Sequence, residues 1–173
     1  MQYRRFGKTE VQIPVFSCGG MRYQYSWEDA ETPNITTKSQ VNLRNCIHRA
    51  FDLGIYHIET ARDYGTSEVQ LGKVLHELPR EELILQTQVP PYKDTKEFES
   101  VLEQSLSNLK MDHIDLFAFH GINLPDHLEW VMDGCYEVAE RWRQEGRIRH
   151  IGFSTHASTD LIVKAIQTGL FDY

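Results

Sequence analysis

The stretch GIYHIETARDYGTSEVQLG, residues 54–72, reads as a strand, a turn and the beginning of a helix. IYHIE (55–59) is rich in β-branched and aromatic residues, which suit a pleated surface. From Ser67 the pattern predicts a helix running to about Leu78. Gly54, at the head of the stretch, stops a preceding helix over 40–53, whose Val41, Leu43, Cys46, Ile47, Ala50, Phe51 and Leu53 fall mostly on one face.

Working outward, the same unit recurs. Strand-like LILQTQV (83–89), HIDLFAFH (113–120) and RIRHIGFS (147–154) alternate with helices predicted over about 94–109, 125–145 and 158–168. Upstream, two short extended runs flank Gly7-Lys8-Thr9 as a hairpin, and Pro14 to Cys18 is expected as the first core strand. Polar residues 22–39 form an excursion, within which Glu28, Asp29 and Glu31 read as solvated loop. Strand ends expected at Cys18, Glu59, Gln88, His120 and Phe153 lie roughly 30 to 40 residues apart, the length of a βα unit with a parallel crossover.

This alternation fits either a doubly wound sheet or a barrel. No GxGxxG follows the first strand and no GxxxxGK[ST] occurs, which weakens the nucleotide-binding doubly wound option. GLFDY (169–173) resembles the entry to a sixth strand, after a helix that Gly169 would cap. Five strands cannot close a barrel, so residues 1–173 are expected to be one incomplete domain: a fragment, a truncated relative or a chain completed by a partner. Its first and fifth strands would then present unpaired edges. The alternative is an open sheet that tolerates two edges.

With 173 residues, 40% of them apolar and 25% charged, the chain can bury a substantial core. A net charge of −7 without any Lys/Arg run argues against nucleic acid or an anionic membrane as a partner. Cys18, Cys46 and Cys135 show no CxxC spacing and are expected to be small buried apolar residues, in a cytoplasmic protein with reduced thiols. Much of the 125–145 helix circumference is apolar, through Leu128, Trp130, Val131, Met132, Cys135 and Trp142, which points to core burial, with an interface as the alternative.

In a parallel βα protein, functional groups gather at the carboxyl ends of the strands. Glu59, Gln88, His120 and Ser154-Thr155-His156 fall there, from four successive strands, and together suggest a site. A divalent metal on His120, His156 and Glu59 is a weaker reading, since no HxH or HExxH spacing supports it.

The 54–72 stretch resembles the aldo-keto reductase signature, in which an acidic residue, Thr-Ala, two variable residues and Tyr-Gly precede Ser-Glu and Leu-Gly. RRFGKT…FSCGGM, DLFAFH (115–120) and GRIRHIGFS (146–154) resemble that family in the same order. The resemblance implies a partial TIM (β/α) barrel truncated before its sixth strand, in which a nicotinamide cofactor, usually NADPH, delivers hydride to a small aldehyde or ketone. It implies that Tyr64 protonates the carbonyl oxygen and that His120 orients the carbonyl. Gly20 and Met21, with Ser154 and Thr155 in place of the usual Ser-Asn pair, would lie along the nicotinamide, while the main grip on the adenine and phosphate end would come from units beyond residue 173.

At two positions the sequence departs from the family pattern. Glu59 stands where an aspartate is usual, and Gln88 stands where a lysine is usual. A neutral amide cannot favour a tyrosinate as an ammonium does, and Glu59 left unpaired would push the tyrosine pKa upward. The expectation is a slow enzyme, a changed reaction, or none. In the last case the partial barrel would be a binding or assembly module that pairs with a second copy or with a missing C-terminal half.

Overall fold

Five parallel strands carry the chain from Cys18 to Phe153 in the computed structural model, which describes residues 1–173. β1 (Tyr3–Arg5) and β2 (Gln12–Pro14) form a separate antiparallel hairpin. β3 (Cys18–Gly19), β4 (His57–Glu59), β5 (Ile84–Val89), β6 (Ile114–Phe119) and β7 (Ile148–Phe153) then follow in chain order, each parallel to the next. They are connected by α1 (Thr37–Asp52), α2 (Ser67–Gly72), α3 (Thr95–Leu109), α4 (Pro125–Trp130) with α5 (Tyr136–Gln144), and α6 (Thr159–Gln167) follows β7. Strand order that never reverses is the winding of a barrel, whereas a doubly wound sheet turns back at a switch point. The fold is therefore a partial α/β barrel with an N-terminal hairpin.

The two faces of this sheet differ in chemistry. Ile58, Leu85, Val89, Phe117, Phe119 and Ile151 pack with helix residues such as Leu43, Leu71, Phe98, Leu102 and Trp142 in one apolar cluster. Alternate positions are polar: His57 Nε2 lies 3.1 Å from Gln86 Oε1, and Gln88 Nε2 reaches Glu59 Oε1. Parallel strands covered on both sides are usually apolar on both. Here one side is core and the other is a polar interior that ends at the site.

Several local expectations are corrected. The 14–18 run is not one strand: Pro14 ends the hairpin, Val15 and Phe16 bend, and only Cys18–Gly19 pairs with β4. α1 begins at Thr37 rather than residue 40, because Thr36 caps it by accepting the Ser39 N–H at 3.2 Å. The helix after Ser67 stops at Gly72, and a separate 3₁₀ turn follows at Leu75–Glu77. The 125–145 helix is interrupted by a π turn at Val131–Cys135, where Gly134 has φ 152°. Its Leu128, Val131, Cys135 and Trp142 are buried while Met132 is exposed, so most of the apolar surface is core. Of the three cysteines only Cys135 is buried; Cys18 is half-buried and Cys46 exposed on α1.

The fifth strand is not left bare on its outer side. Asp172 N donates to Ile151 O at 2.7 Å, and Phe153 N donates to Tyr173 O at 3.3 Å. Lys8 N in the hairpin turn donates to Asp172 O, and the Tyr173 ring lies 4.8 Å from Phe6. Asp172 Oδ2 also accepts from Ile151 N at 3.0 Å and from Arg143 at 3.3 Å. Residues 169–173 thus run beside β7, as the sixth-strand reading expects, and tie it to the hairpin.

Candidate active site

Glu59, Gln88 and His120 reach the same end of the sheet because register fixes them there. Glu59 pairs with Gln86 across β4 and β5, Gln88 pairs with Ala118 across β5 and β6, and His120 follows directly after β6, its N–H bonded to Val89 O. Tyr64 comes in from the turn after β4. Its ring stands edge-on to His120, 5.5 Å between centroids, and edge-on to Trp27 at 6.1 Å.

The turn that presents Tyr64 is held by its own polar side chains. Thr60 and Ser67 hydroxyls bond at 2.7 Å, Thr66 donates to Gln70 Oε1 at 2.9 Å, and Thr87 of β5 donates to the fully buried Glu68 at 2.7 Å. Asn108 of α3 reaches the other Glu68 oxygen at 3.2 Å. Gly65 has φ +51°, and a Cβ there would meet Ser26 O at 2.2 Å, so only glycine lets the 24–27 segment press onto the tyrosine turn.

Glu59 is not unpaired, contrary to the expectation from sequence. Its carboxylate accepts from Gln88 Nε2 at 2.5 Å and more weakly from the Gly20 N–H at 3.4 Å. Burial still pushes its pKa up, with those two donors and His120 pulling the other way. The Tyr64 phenol is pushed up to about 12, first by burial and then by the negative charges of Glu59 and Asp63. The lysine position supplies no cation beside Glu59: it holds Gln88, whose Oε1 is buried without a partner. Arg62 acts on Asp63 but pairs with Asp29.

Asp63 was not singled out from sequence, although an acidic residue next to Tyr64 in the turn after a strand is a legible signal. Its Oδ2 lies 3.4 Å from His120 Nδ1. That is an ion-pair distance rather than an aligned hydrogen bond, and Nδ1 has no other polar partner. Asp63 also borders a cleft of about 420 Å³, with Trp27, Asp29, Arg62, Gly65 and Tyr92 around it. Arg62 pairs with Asp29, so the acidic 28–31 segment is a pinned 3₁₀ helix (Asp29–Asn34) rather than free loop.

For a nicotinamide the residues present fit in part. Gly20 is packed so closely that a Cβ would meet Glu59 O at 2.8 Å and Ser67 Oγ at 2.9 Å, so its backbone lies against the turn after β4, and Met21 beside it is exposed. Ser154 Oγ accepts from Gly121 N at 3.2 Å and keeps its own proton to donate to a carboxamide. Thr155 donates to Ile122 O at 2.6 Å and accepts from Ala157 N at 2.9 Å, so its hydroxyl is spent on the loop. No three His, Cys, Asp or Glu side chains come together as a metal would require, so His156 does not join Glu59 and His120 in such a centre.

A parallel partial barrel with a tyrosine, a histidine and a carboxylate at the ends of successive strands defines a class: βα-barrel proteins whose chemistry sits on the strand-end loops. The sequence model of the Aldo/keto reductase family matches residues 17–171, and the chain belongs to that family. It is 27% identical to the L-glyceraldehyde 3-phosphate reductase of Escherichia coli (strain K12), over 91% of this chain and 46% of that protein. A thermostable aldo-keto reductase, Tm1743, solved with the inhibitor epalrestat, superimposes with a TM-score of 0.73 at 26% identity, covering 96% of this chain and 58% of that one. The aldo-keto reductase AKR2E4 of Bombyx mori, solved with NADP, has a TM-score of 0.70 at 24% identity over 96% of this chain and 55% of that one, a likeness of fold. The chain spans about half the length of the curated relatives it matches.

Proposed function

We propose that this chain forms the carbonyl-binding side of an NADPH-dependent oxidoreductase for small aldehydes or ketones, with turnover slowed by Gln88. The observation that carries the reading is the convergence of Tyr64 and His120, ring edge to ring face, beside the Glu59–Gln88 pair at the strand ends. A bound nicotinamide would supply the hydride. Tyr64 and His120 would hold the carbonyl oxygen, Ser154 would donate to the carboxamide, and Gly20 with Met21 would lie along the ring. Family membership and the NADP in the Bombyx mori relative support the choice of cofactor. Barrel closure and the adenine end would come from a second copy or from further chain, in a cytoplasmic setting.

Titration with NADPH, followed by cofactor fluorescence with light scattering on the same sample, tests this. Saturable micromolar binding and slow NADPH-dependent loss of a small aldehyde are expected. A well-folded species that binds no cofactor would leave a non-catalytic binding or assembly module.

A further inference from the structure

We infer that the cleft beside Asp63 takes a cationic group, so that the carbonyl compound reduced at this site carries an ammonium at the end of a short chain. The inference rests on the carbonyl-reductase reading and names its substrate class.

The cleft adjoins the reacting corner. It encloses about 420 Å³, and Asp63 on its border lies 3.4 Å from His120 Nδ1. Trp27, also in its wall, stands edge-on to Tyr64 at 6.1 Å. A molecule whose carbonyl rests between Tyr64 and His120 therefore reaches the cleft with the rest of its chain. Tyr92, from the loop after β5, adds a second aromatic ring to the lining.

Charge decides what that chain should carry. Three carboxylates, Glu28, Asp29 and Asp63, stand around the cleft against one guanidinium, Arg62. Asp29 takes both terminal nitrogens of Arg62, so that pair is neutral. Glu28 is exposed and makes no ion pair, and half-exposed Asp63 has His120 as its one neighbour within ion-pair reach. Two negative charges are left over. A phosphate or carboxylate on the substrate would meet both with no free cation to offset them. An ammonium is attracted by the carboxylates and by the faces of aromatic rings alike. A neutral polyol would leave both charges unbalanced.

The wall is set before any ligand arrives. Tyr25 N donates to Gln70 Oε1 at 2.6 Å, Ser26 N to Thr66 Oγ1 at 3.1 Å, and Thr66 N returns a bond to Ser26 O at 3.0 Å. Trp27 and Glu28 follow directly, and Glu28 N donates to Ser26 Oγ at 3.1 Å. Binding therefore pays little for ordering this segment. In the reaction the carbonyl carbon gains a hydride from the reduced nicotinamide, which is left oxidised, and the oxygen gains a proton. The ammonium is unchanged and departs on the alcohol.

Binding is read without turnover by calorimetric titration with butyltrimethylammonium and, separately, with pentanoate. Saturable millimolar binding of the cation and none of the anion is expected, weakened about tenfold or more in Glu28→Lys and reduced by added salt. Turnover is read as NADPH-dependent reduction of trimethylammoniobutanal, its neutral tert-butyl isostere and glutarate semialdehyde. The cationic aldehyde should exceed its neutral isostere about tenfold in kcat/KM, the anionic one should be poorest, and the cation-to-neutral ratio should collapse in Glu28→Lys and shrink in Trp27→Leu. Equal constants for the three, or a preference for the neutral compound or for a polyhydroxy aldehyde, overturn the cationic assignment and leave the reductase reading standing. A folded protein that does not bind butyltrimethylammonium overturns the cleft as a cation site. Ammonium binding with no reduction of any aldehyde overturns the substrate assignment together with the reductase reading.

Discussion

Gln88 Nε2 donates to Glu59 Oε1 at 2.5 Å, so a neutral amide occupies the place where the family resemblance sets an ammonium. Glu59, one methylene longer than aspartate, still reaches across to β5, and the pair survives as a hydrogen bond without a net positive member. What is lost is the charge, and its absence is felt at Tyr64.

Gln88→Lys should restore that charge. The Tyr64 midpoint, read by ultraviolet absorbance, is expected to fall from about 12, since the ammonium faces Glu59 and offsets it. Tyr64→Phe should then cost about tenfold more in kcat in the Gln88→Lys background than in wild type, because the phenol has become a usable acid. Equal losses in both backgrounds would show that Gln88 does not set the role of the tyrosine.

His57 supplies a second prediction, on stability. It is buried, within 2.7 Å of Ser17 Oγ and 3.1 Å of Gln86 Oε1, and burial lowers its pKa to about 4. Between that value and the ordinary imidazole range the unfolded chain binds the extra proton, so stability falls as pH falls through the window. The whole effect is about 3 kcal/mol. Urea unfolding from pH 7 to pH 4 should show wild type losing stability relative to His57→Gln toward acid, whatever the difference between them at neutrality.

Glu68 has the opposite sign. Fully buried, with its pKa raised by burial against the donors Thr87 and Asn108, it is taken up protonated more readily by the folded chain. Its contribution therefore weakens as pH rises through the raised value. Relative to wild type, Glu68→Gln should gain stability from pH 5 to pH 8, measured by the same unfolding series; a difference that is flat with pH would remove the carboxylate from the account.

Gly72 tests the contact between α2 and α3. An added Cβ would sit 2.1 Å from Asn108 O, which is backbone and cannot swing away. Alanine gains about 1 kcal/mol of helix propensity over glycine, but separating the two helices costs more, so Gly72→Ala should lose about 2 kcal/mol net in urea unfolding.

Much of this was legible in the sequence because the alternation of short β-branched runs with amphipathic stretches is set by local periodicity, and the register that brings Glu59, Gln88 and His120 to one end follows from their places at strand ends. The first core strand was not legible: Val15 and Phe16 look strand-like, yet both are exposed where the chain bends between hairpin and sheet. Nor were the pairings that depend on tertiary approach. Nothing in the sequence says that Asp29 will meet Arg62, that Asp63 will turn toward His120, or that Glu59 will find Gln88.

The hydrogen bonds inside the tyrosine turn bear on what a motif can certify. Thr60, Ser67 and Glu68 of the recognised pattern, with Thr66 and Gln70 between and beside them, spend their polar atoms on one another and on Thr87 and Asn108. They shape a turn, and the turn aims a ring. The stretch therefore vouches for ancestry and foldability, while the charge beside the ring is set a strand away, at Gln88, by a residue that the signature does not contain.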